Sequence, residues 1–289
     1  MANTITPYAP GSAGAGYRWV NEVWSKSIER APYELAAILP NCTEYEAIHG
    51  KLHIPQHANL SPSARDTTNT ADMTDALTFQ ANTETEQTIS PGTVDLNTSI
   101  NENQAKRMMV DPQDVLRVSI EKAFAQKIDQ DLATLFTSAV LGATGAYGSA
   151  LDLTTILNAK ARLGKNTKEY GDDMIFFAYA HENEPAVLST NNLISAQIRG
   201  DGANPAVSGR VVDAFGIRWL KTGNVRNSGG GFNNGMWVKR GIGVGFNIKA
   251  YVKTQEHGHG TWLLGLADYG YVTVRDAYIA NAKSNVPTL

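Results

Sequence analysis

The sequence predicts a mixed α+β fold on three observations. Residues 111–140 place apolar side chains every four positions, as one long amphipathic helix does. Residues 77–89, 94–100 and 244–253 alternate apolar and polar side chains, which is typical of half-buried strands. Residues 150–225 alternate helical and strand patterns, which indicates an α/β lobe.

The first segments of the chain predict an arm. Apolar residues follow helical spacing before Pro32, and they would give the arm an adhesive face. They are Trp19, Val20, Val23, Trp24 and Ile28. Residues 32–39 predict a second short helix, which Pro40 would end.

A long hairpin is predicted next. Residues 51–55 and 77–89 have strand patterns, and the polar run 56–74 lies between them. This run has too few large apolar residues to bury itself, so we expect it to project from the body as a hairpin or loop. The strand at 94–100 then leads into the long helix.

The long helix has clear start signals and one apolar face. Asp111 suits the N-cap, Pro112 suits the first helical position, and Asp114 places negative charge near the positive end of the helix dipole. At about 1.5 Å per residue the helix would be roughly 40 Å long, so a broad sheet must cover its apolar face. That face contains Leu116, Ile120, Phe124, Ile128, Leu132 and Phe136.

The α/β lobe begins with a capped helix. Asp152 is its predicted N-cap, and Gly164 is predicted to end it. Residues 174–180 form a continuous apolar run, which predicts a strand that is covered on both faces. A short helix at 184–188 follows, and then two strands that pivot at Gly216.

The C-terminal part predicts β structure. Residues 227–235 are rich in glycine and asparagine and predict a flexible loop. The alternation at 244–253 predicts one buried face and one solvated face. Residues 257–260 predict a tight turn, and residues 270–280 predict a last pair of strands.

Composition and charge exclude several classes of protein. The chain has 289 residues and a formal net charge of −3, which argues against a protein that grips nucleic acid through a basic face. No apolar run is long enough to span a membrane, and the N-terminus lacks a signal-peptide pattern, so we expect synthesis in a cytoplasm. Cys42 is the only cysteine, which excludes a disulfide framework and a multi-cysteine zinc site.

The histidines offer a weak candidate for a metal site. His257 and His259 lie two residues apart, as two ligands on one side of a strand would, but a glycine-rich turn with solvated histidines explains them better. His49, His53 and His57 are spaced by four, yet Gly50 and Pro55 forbid the helix that would align them, so we expect no shared site.

Two other motifs have simpler explanations than catalysis or binding. Glu182 and Glu184 beside His181 fit the start of a short helix better than an acid/base pair. The Arg-Gly-Asp sequence that begins at Arg199 fits turn chemistry. The sequence therefore predicts no catalytic residue, no cofactor and no metal site.

The order of these segments resembles that of the major capsid proteins of tailed bacteriophages, whose fold is shared with encapsulins. Ile128-Asp129 in the long helix is similar to an Ile-Asp pair of that family. Residues 176–188 resemble its strand and short helix, and residues 209–225 resemble a strand that turns at glycine into a second strand. Residues 269–279 are similar to its closing strands.

This resemblance implies a division of the chain into four parts. Residues 1–48 would be the N-terminal arm, and residues 49–94 the extended β-hairpin loop that reaches over a neighbouring subunit. The peripheral domain would comprise residues 95–149 and 243–289, with its spine helix at 111–140. Residues 150–242 would form an α/β axial domain, which meets its copies at the centre of a capsomer.

The resemblance also implies a function. The chain would be a structural protein that self-assembles as hexamers and pentamers into the icosahedral shell around the genome of a tailed bacteriophage. It would be synthesised and assembled in the cytoplasm of the bacterial host. Its partners would be other copies of itself, a separate scaffolding protein, a portal, weakly contacted double-stranded DNA and a decoration protein, with no membrane.

Specific contacts and alternatives follow from this hypothesis. We predict assembly contacts at Trp19, Trp24, Arg65, Asp66 and Phe79, and we expect Trp219, Trp237 and Trp262 to help anchor interfaces. No lysine lies between Lys51 and Lys106, so no lysine–asparagine crosslink is expected from the loop. The alternatives are an encapsulin-like compartment shell and, more remotely, a metal-dependent hydrolase that uses His257 and His259.

Overall fold

The computed structural model describes most of the chain outside the first 35 residues. The described ranges are 36–45, 50–57, 84–102, 112–139, 141–166, 174–189, 213–225, 227–228 and 231–285. Within them the chain forms two larger β-sheets, one small hairpin and three α-helices.

The longest helix, α1, spans Pro112–Thr137. Its predicted apolar face is confirmed, because Ile120, Phe124, Ile128, Leu132 and Phe136 are all buried. The helix ends three residues before the predicted end at 140, since the backbone N–H of Ala139 donates to the carbonyl of Phe136 and tightens the last turn. The predicted N-cap, Asp111, lies outside the described residues.

Two further helices belong to the α/β lobe. Helix α2 spans Leu153–Asn166, and Asp152 caps it as predicted, because its Oδ1 accepts a hydrogen bond of 2.8 Å from the N–H of Thr155. The prediction that Gly164 ends this helix is wrong, because glycine adopts helical dihedrals as readily as left-handed ones and the fully buried Leu163 holds that turn in place. Helix α3 spans Glu184–Leu188, as predicted.

Sheet I has seven strands and carries the α/β lobe. Six strands follow the order β5-β13-β10-β6-β8-β7, and β9 pairs with β10. Strands β6 and β8 are parallel, with Ile175 opposite Ile217. The bounds are β5 Ala143–Thr144, β6 Ile175–Tyr179, β7 Asp213–Ala214, β8 Ile217–Lys221, β9 Asn227–Ser228, β10 Gly231–Val238 and β13 Ile279–Asn285.

Strand β10 corrects the prediction of a flexible loop at residues 227–235. All eight of its residues are buried, because it lies between β13 and β6 inside sheet I. Asn234 is satisfied there, because its Oδ1 accepts from the N–H of Ala180 and its Nδ2 donates to Ser284 Oγ at 2.9 Å. Asn233 Oδ1 accepts from Asn281 Nδ2, while Asn233 Nδ2 has no hydrogen-bond partner within the described residues. Amide side chains can lie in a core without a large free-energy penalty when their polar atoms have hydrogen-bond partners there.

Sheet II has four strands in the order β1-β11-β12-β4. The remaining strands, β2 and β3, form an antiparallel hairpin with Leu52 opposite Ile89. The prediction of a final strand pair at 270–280 is wrong, because Thr273 ends β12 in sheet II and Ile279 begins β13 in sheet I. The bounds are β1 Thr43–Tyr45, β2 Leu52–His57, β3 Glu84–Ile89, β4 Gly92–Asn101, β11 Ile242–His257 and β12 Gly260–Thr273.

Strand β11 departs from the predicted alternation of buried and solvated faces. Residues 242–246 are all buried, and the pairing with β12 shifts twice, between Phe246 and Ile248 and between Ile248 and Tyr251. Such irregularities redirect side chains to the other face of a sheet. As a result Ile248, predicted to be buried, is 36% exposed, and Ala250 is exposed as well. Tyr251, on the predicted solvated face, is 46% exposed.

Helix α1 joins the two sheets in one core. Near its start it lies on sheet II, where a Cβ at Gly265 would be 2.7 Å from Ile120 Cγ2 and from Phe124 Cε2. Near its end Phe136 stacks on Trp237 of sheet I, with ring centroids 5.2 Å apart. A second core lies on the other face of sheet I under α2, and it includes Leu163 and the other buried residues Ile156, Phe177, Trp219 and Met236.

One more short segment differs from its prediction, a helix at residues 32–39. Residues 36–38 are not helical, and Leu39–Asn41 form a single 3₁₀ turn with Pro40 near its start, where a proline is tolerated.

The predicted pivot at Gly216 is confirmed, and the turn is unusual because both Phe215 and Gly216 have positive φ, of 56° and 67°.

Candidate assembly site

The buried carboxylate of Asp129 holds the segment that leads out of the predicted arm. We call residues 36–45 the arm base. Asp129 is fully buried on α1, and its Oδ1 accepts hydrogen bonds from the N–H groups of Ile38 and Leu39 at 2.8 and 2.9 Å. Its Oδ2 accepts from the N–H of Ala37 at 3.0 Å. Three successive backbone donors therefore point at one charge, and hydrogen bonds to a charged acceptor are stronger than neutral ones.

The same carboxylate also binds the turn that follows β8. Asn224 Nδ2 donates to Asp129 Oδ2 at 3.1 Å, and the N–H of Asn224 donates to Thr222 Oγ1 at 3.1 Å. The N–H of Thr222 in turn donates to the carbonyl of Tyr179 in β6. Asp129 thus connects α1, the arm base and the end of two strands of sheet I.

Further hydrogen bonds fix the arm base internally and to sheet I. Asn41 Nδ2 donates to the carbonyl of Ala37 at 2.8 Å, and the thiol of Cys42 donates to the carbonyl of Ile38 at 3.3 Å. Trp237 Nε1 donates to the carbonyl of Asn41 at 3.0 Å. Burial, and secondarily the charge of Asp129, raises the pKa of the Cys42 thiol far above its usual value, so the thiol stays protonated and can donate.

Asp131, two residues further along α1, connects the helix to sheet II. Its Oδ2 accepts from Tyr269 Oη at 2.6 Å, and its Oδ1 pairs with Lys127 Nζ at 2.5 Å. Burial raises the pKa of Tyr269, and the hydrogen bond to Asp131 raises it further. A polar pocket of about 300 Å³ lies between this part of α1 and the turn after β8. Its lining residues are Lys127, Gln130, Asp131, Thr134, Gly223, Asn224 and Val225.

The β2–β3 hairpin has almost no core of its own. Of its strand side chains that the structure describes, only that of Ile89 is buried, and it lies at the base of the hairpin. Nearer the other end of the described hairpin, Gln56 Nε2 donates to the carbonyl of Val274 beyond β12. The exposed face carries a pair between His53 Nδ1 and Glu86 Oε1 at 3.2 Å. An isolated two-stranded hairpin is marginally stable in water, so this element needs further cover.

The aromatic residues divide between the core and the surface. The prediction that Trp219 and Trp237 anchor interfaces is wrong, because both are buried in the cores of this chain, at 5% and 0% exposure. Trp262 on β12 is 38% exposed and remains on the surface. The other exposed large hydrophobic residues in the described ranges are Leu96, Tyr147, Met174, Phe215, Ile248 and Tyr251.

The five predicted assembly residues lie outside the described part of the chain. They are Trp19, Trp24, Arg65, Asp66 and Phe79. Sequence reasoning noted Asp129 only as part of a family motif and missed its contacts. The available signal was an acidic residue between Ile128 and Leu132, on the face of α1 that the other side chains mark as buried.

The histidine candidates are not assembled into a metal site in the described structure. His259 is 97% exposed in the turn between β11 and β12, and its Nδ1 lies 4.0 Å from Glu102 Oε2. The side chain of His257 and the whole of His49 lie outside the described residues. Within the described ranges, no three His, Cys, Asp or Glu side chains are grouped so as to hold a metal ion.

The remaining candidates have structural partners or are not described. Glu184 forms an ion pair with Lys221, at 2.9 and 3.1 Å from its two carboxylate oxygens, and Arg199 lies outside the described residues. In the described part of the chain no helix is both long and apolar enough to cross a membrane.

Comparison of the whole chain with known proteins gives structural matches only. No family model matches the sequence, and no curated protein matches it. The fold is similar to a solved structure of Mycobacterium phage Che8, with a TM-score of 0.74 and 15% identity over 93% of this chain and 98% of that one.

Two further matches have titles that name capsids. The capsid structure of the cyanophage P-SCSP1u gives a TM-score of 0.69 and 14% identity, over 92% of this chain and 93% of that one. The capsid of a native GTA particle gives a TM-score of 0.70 and 14% identity, over 96% of this chain and all 100% of that one. The chain therefore has the fold of tailed-phage major capsid proteins, as its sequence predicted.

Proposed function

We propose that this chain is a major capsid protein, which self-assembles into the shell of a tailed phage or a phage-like particle. One observation carries the proposal. The similarity to these structures extends over at least 92% of this chain and at least 93% of each of those chains, so it concerns nearly the whole subunit and not one lobe. A structural role without catalysis agrees with these similarities.

The physical chemistry of the subunit supports assembly with other copies. The β2–β3 hairpin exposes most of its described surface and lacks a core, so neighbouring copies are the natural source of cover. In a closed shell each subunit would meet several others, as hexamers and pentamers. Individually modest contacts would then add up to a stable lattice.

The charge of the chain supports a weak contact with the packaged genome. A net charge of −3 gives little electrostatic attraction to double-stranded DNA, so the inner wall would enclose DNA without gripping it. A separate scaffolding protein, a portal and a decoration protein are the further partners that we propose. We place the mature protein in the virion shell and its synthesis in the cytoplasm of a bacterial host.

The titles of the similar structures favour a phage-type shell over an encapsulin-like compartment. Mass spectrometry of purified particles separates the two functions. Copurified portal and tail proteins together with DNA would support the virion shell. A single copurified enzyme in place of DNA would contradict it.

The decisive experiment is assembly of the expressed chain, with and without a candidate scaffolding protein, followed by negative-stain microscopy. We expect closed shells of uniform size. Thr85→Arg, at an exposed position of β3, should lower the yield of shells without changing the melting temperature of the subunit. Thr154→Arg, on the exposed side of α2, is the matched control. A chain that stays monomeric at every concentration, even with scaffold, would refute the proposal.

A further inference from the structure

One buried carboxylate joins three parts of the subunit that are far apart in sequence. Asp129 lies on α1, the arm base precedes it by about ninety residues, and Asn224 follows it by 95 residues. We infer that Asp129 is a positioning residue, which fixes the orientation of the arm base on the body of the subunit and couples that orientation to the turn after β8.

The orientation is fixed because three consecutive N–H groups share one acceptor group. Ala37, Ile38 and Leu39 all donate to the carboxylate within 3.0 Å, so the backbone there has one orientation relative to α1. None of the four hydrogen bonds to Asp129 comes from a lysine, arginine or histidine in the described chain. Displacement of the arm base would therefore leave a buried charge without most of its partners, which is strongly unfavourable.

The coupling arises because two elements share one oxygen. Oδ2 of Asp129 accepts from Ala37 of the arm base and from Asn224 of the turn. Asn224 is itself 3% exposed, and its Oδ1 has no hydrogen-bond partner in the structure. The carboxylate is consequently the group that orients the Asn224 side chain, and a shift of Oδ2 toward one donor lengthens the bond to the other.

The biological role of this positioning rests on the proposed function as a capsid subunit. In a shell, the arm of each subunit would contact other copies, so the angle at which it leaves the body would affect which copies it reaches. A displacement of the arm base would shift the turn after β8. The hydrogen bonds of Thr222 to Asn224 and to Tyr179 would then pass that shift to sheet I.

The test measures hydrogen exchange in the unassembled subunit, so its result does not depend on whether shells form. Asp129→Asn keeps the shape of the side chain but replaces one acceptor by a donor. We expect the amides of residues 37–39 to exchange about tenfold faster or more. Asp131→Asn is the matched control on the same helix, because it removes a carboxylate that binds Lys127 and Tyr269 but not the arm base. It should leave exchange at 37–39 unchanged.

A second variant separates positioning from folding. In Asp129→Asn with Asn224→Asp, donor and acceptor are exchanged, so the bond between α1 and the turn can form again, while the NH₂ group in the place of Oδ2 offers no acceptor to Ala37. We expect this double variant to melt at a higher temperature than Asp129→Asn and to keep fast exchange at residue 37. Exchange at residue 37 as slow as in the natural chain, in either variant, would overturn the inference.

A milder variant tests the coupling and serves also if Asp129→Asn does not fold. Asn224→Ala removes only the bond from the turn and leaves the three arm-base donors in place. We expect exchange at residues 37–39 to change measurably, by about twofold or more, because Oδ2 loses its second donor. Unchanged exchange there would show that the turn and the arm base are independent, and the coupling would be refuted.

Discussion

The ring of Phe136 lies directly on the backbone of Gly235, so closely that a Cβ at residue 235 would be 2.3 Å from Cδ2 of the ring. This contact is where the end of α1 meets the middle of sheet I. It explains why a glycine lies inside a buried strand, where it otherwise weakens the structure.

Gly235→Ala should therefore destabilise the subunit. The new methyl group must displace the Phe136 ring, which also stacks on Trp237, and overpacking of this kind costs about 1–3 kcal/mol or more. Chemical denaturation measures the loss in the free energy of unfolding. Gly92→Ala is the control, since nothing lies within 4 Å of a Cβ there. Equal stabilities of the two variants would contradict the packing described for Phe136.

Trp237→Phe should loosen the arm base. The substitution keeps an aromatic ring in the core but removes the Nε1 donor that binds the carbonyl of Asn41 at 3.0 Å. We expect a loss of about 1 kcal/mol, because a partly buried carbonyl is left without that donor, and faster hydrogen exchange in residues 38–42. Trp219→Phe is the comparison: it removes a bond to Ala214 on the other side of sheet I and should not change exchange in the arm base. Equal effects of both variants on the arm base would refute this explanation.

Alkaline pH should destabilise the subunit partly through Tyr179. Burial, with a smaller contribution from Glu184, raises the pKa of this tyrosine from 10.0 to about 12. Below pH 10 both the folded and the unfolded states are protonated, and the full stability is present. Between about pH 10 and 12 the unfolded state loses its proton first, so stability falls as pH rises, by at most about 1.4 kcal/mol per pH unit.

Tyr179→Phe tests this dependence. Unfolding free energies measured from pH 9 upward should fall less steeply with pH in the variant than in the natural chain. Tyr269 should account for part of the pH dependence that remains in the variant, since its pKa is also raised. Tyr251→Phe, at an exposed position, is the control. An identical slope in the natural chain and in Tyr179→Phe would contradict the assigned role of Tyr179.

Ile89→Ala should detach the hairpin from the body. Ile89 is fully buried at the hairpin base, and its Cγ2 is 2.8 Å from the position that a Cβ would take at Gly270. Removal of this side chain should cost about 2–4 kcal/mol locally and should raise hydrogen exchange in β2 and β3. The exposed Thr85→Ala is the control. Unchanged exchange in the Ile89 variant would show that the hairpin is held elsewhere.

Local signals predicted the positions of α1, α2 and α3 and much of the strand structure, although not every helix end. The stripe from Ile120 to Phe136, the cap at Asp152 and the short helix at 184–188 each depend on residues close together in sequence, so they could be inferred without the fold. The order of these elements then indicated the capsid fold, which the structural similarities confirm.

The errors have a common physical cause. Residues 231–235 have the composition of a loop, yet they lie buried in β10, where Asn183, Ser284 and Asn281 supply hydrogen-bond partners from distant parts of the chain. The pairing shifts in β11 depend on its register with β12, which the alternation of apolar and polar residues in β11 does not reveal. The role of Asp129 likewise depends on partners about ninety residues away on either side.

The position of β13 has a consequence for biosynthesis. This strand comes last among the described strands, yet it lies inside sheet I between β5 and β10. While the ribosome is still making residues 279–285, β10 has an open edge and the sheet cannot close. A nascent chain therefore cannot complete sheet I until residues 279–285 have left the ribosome.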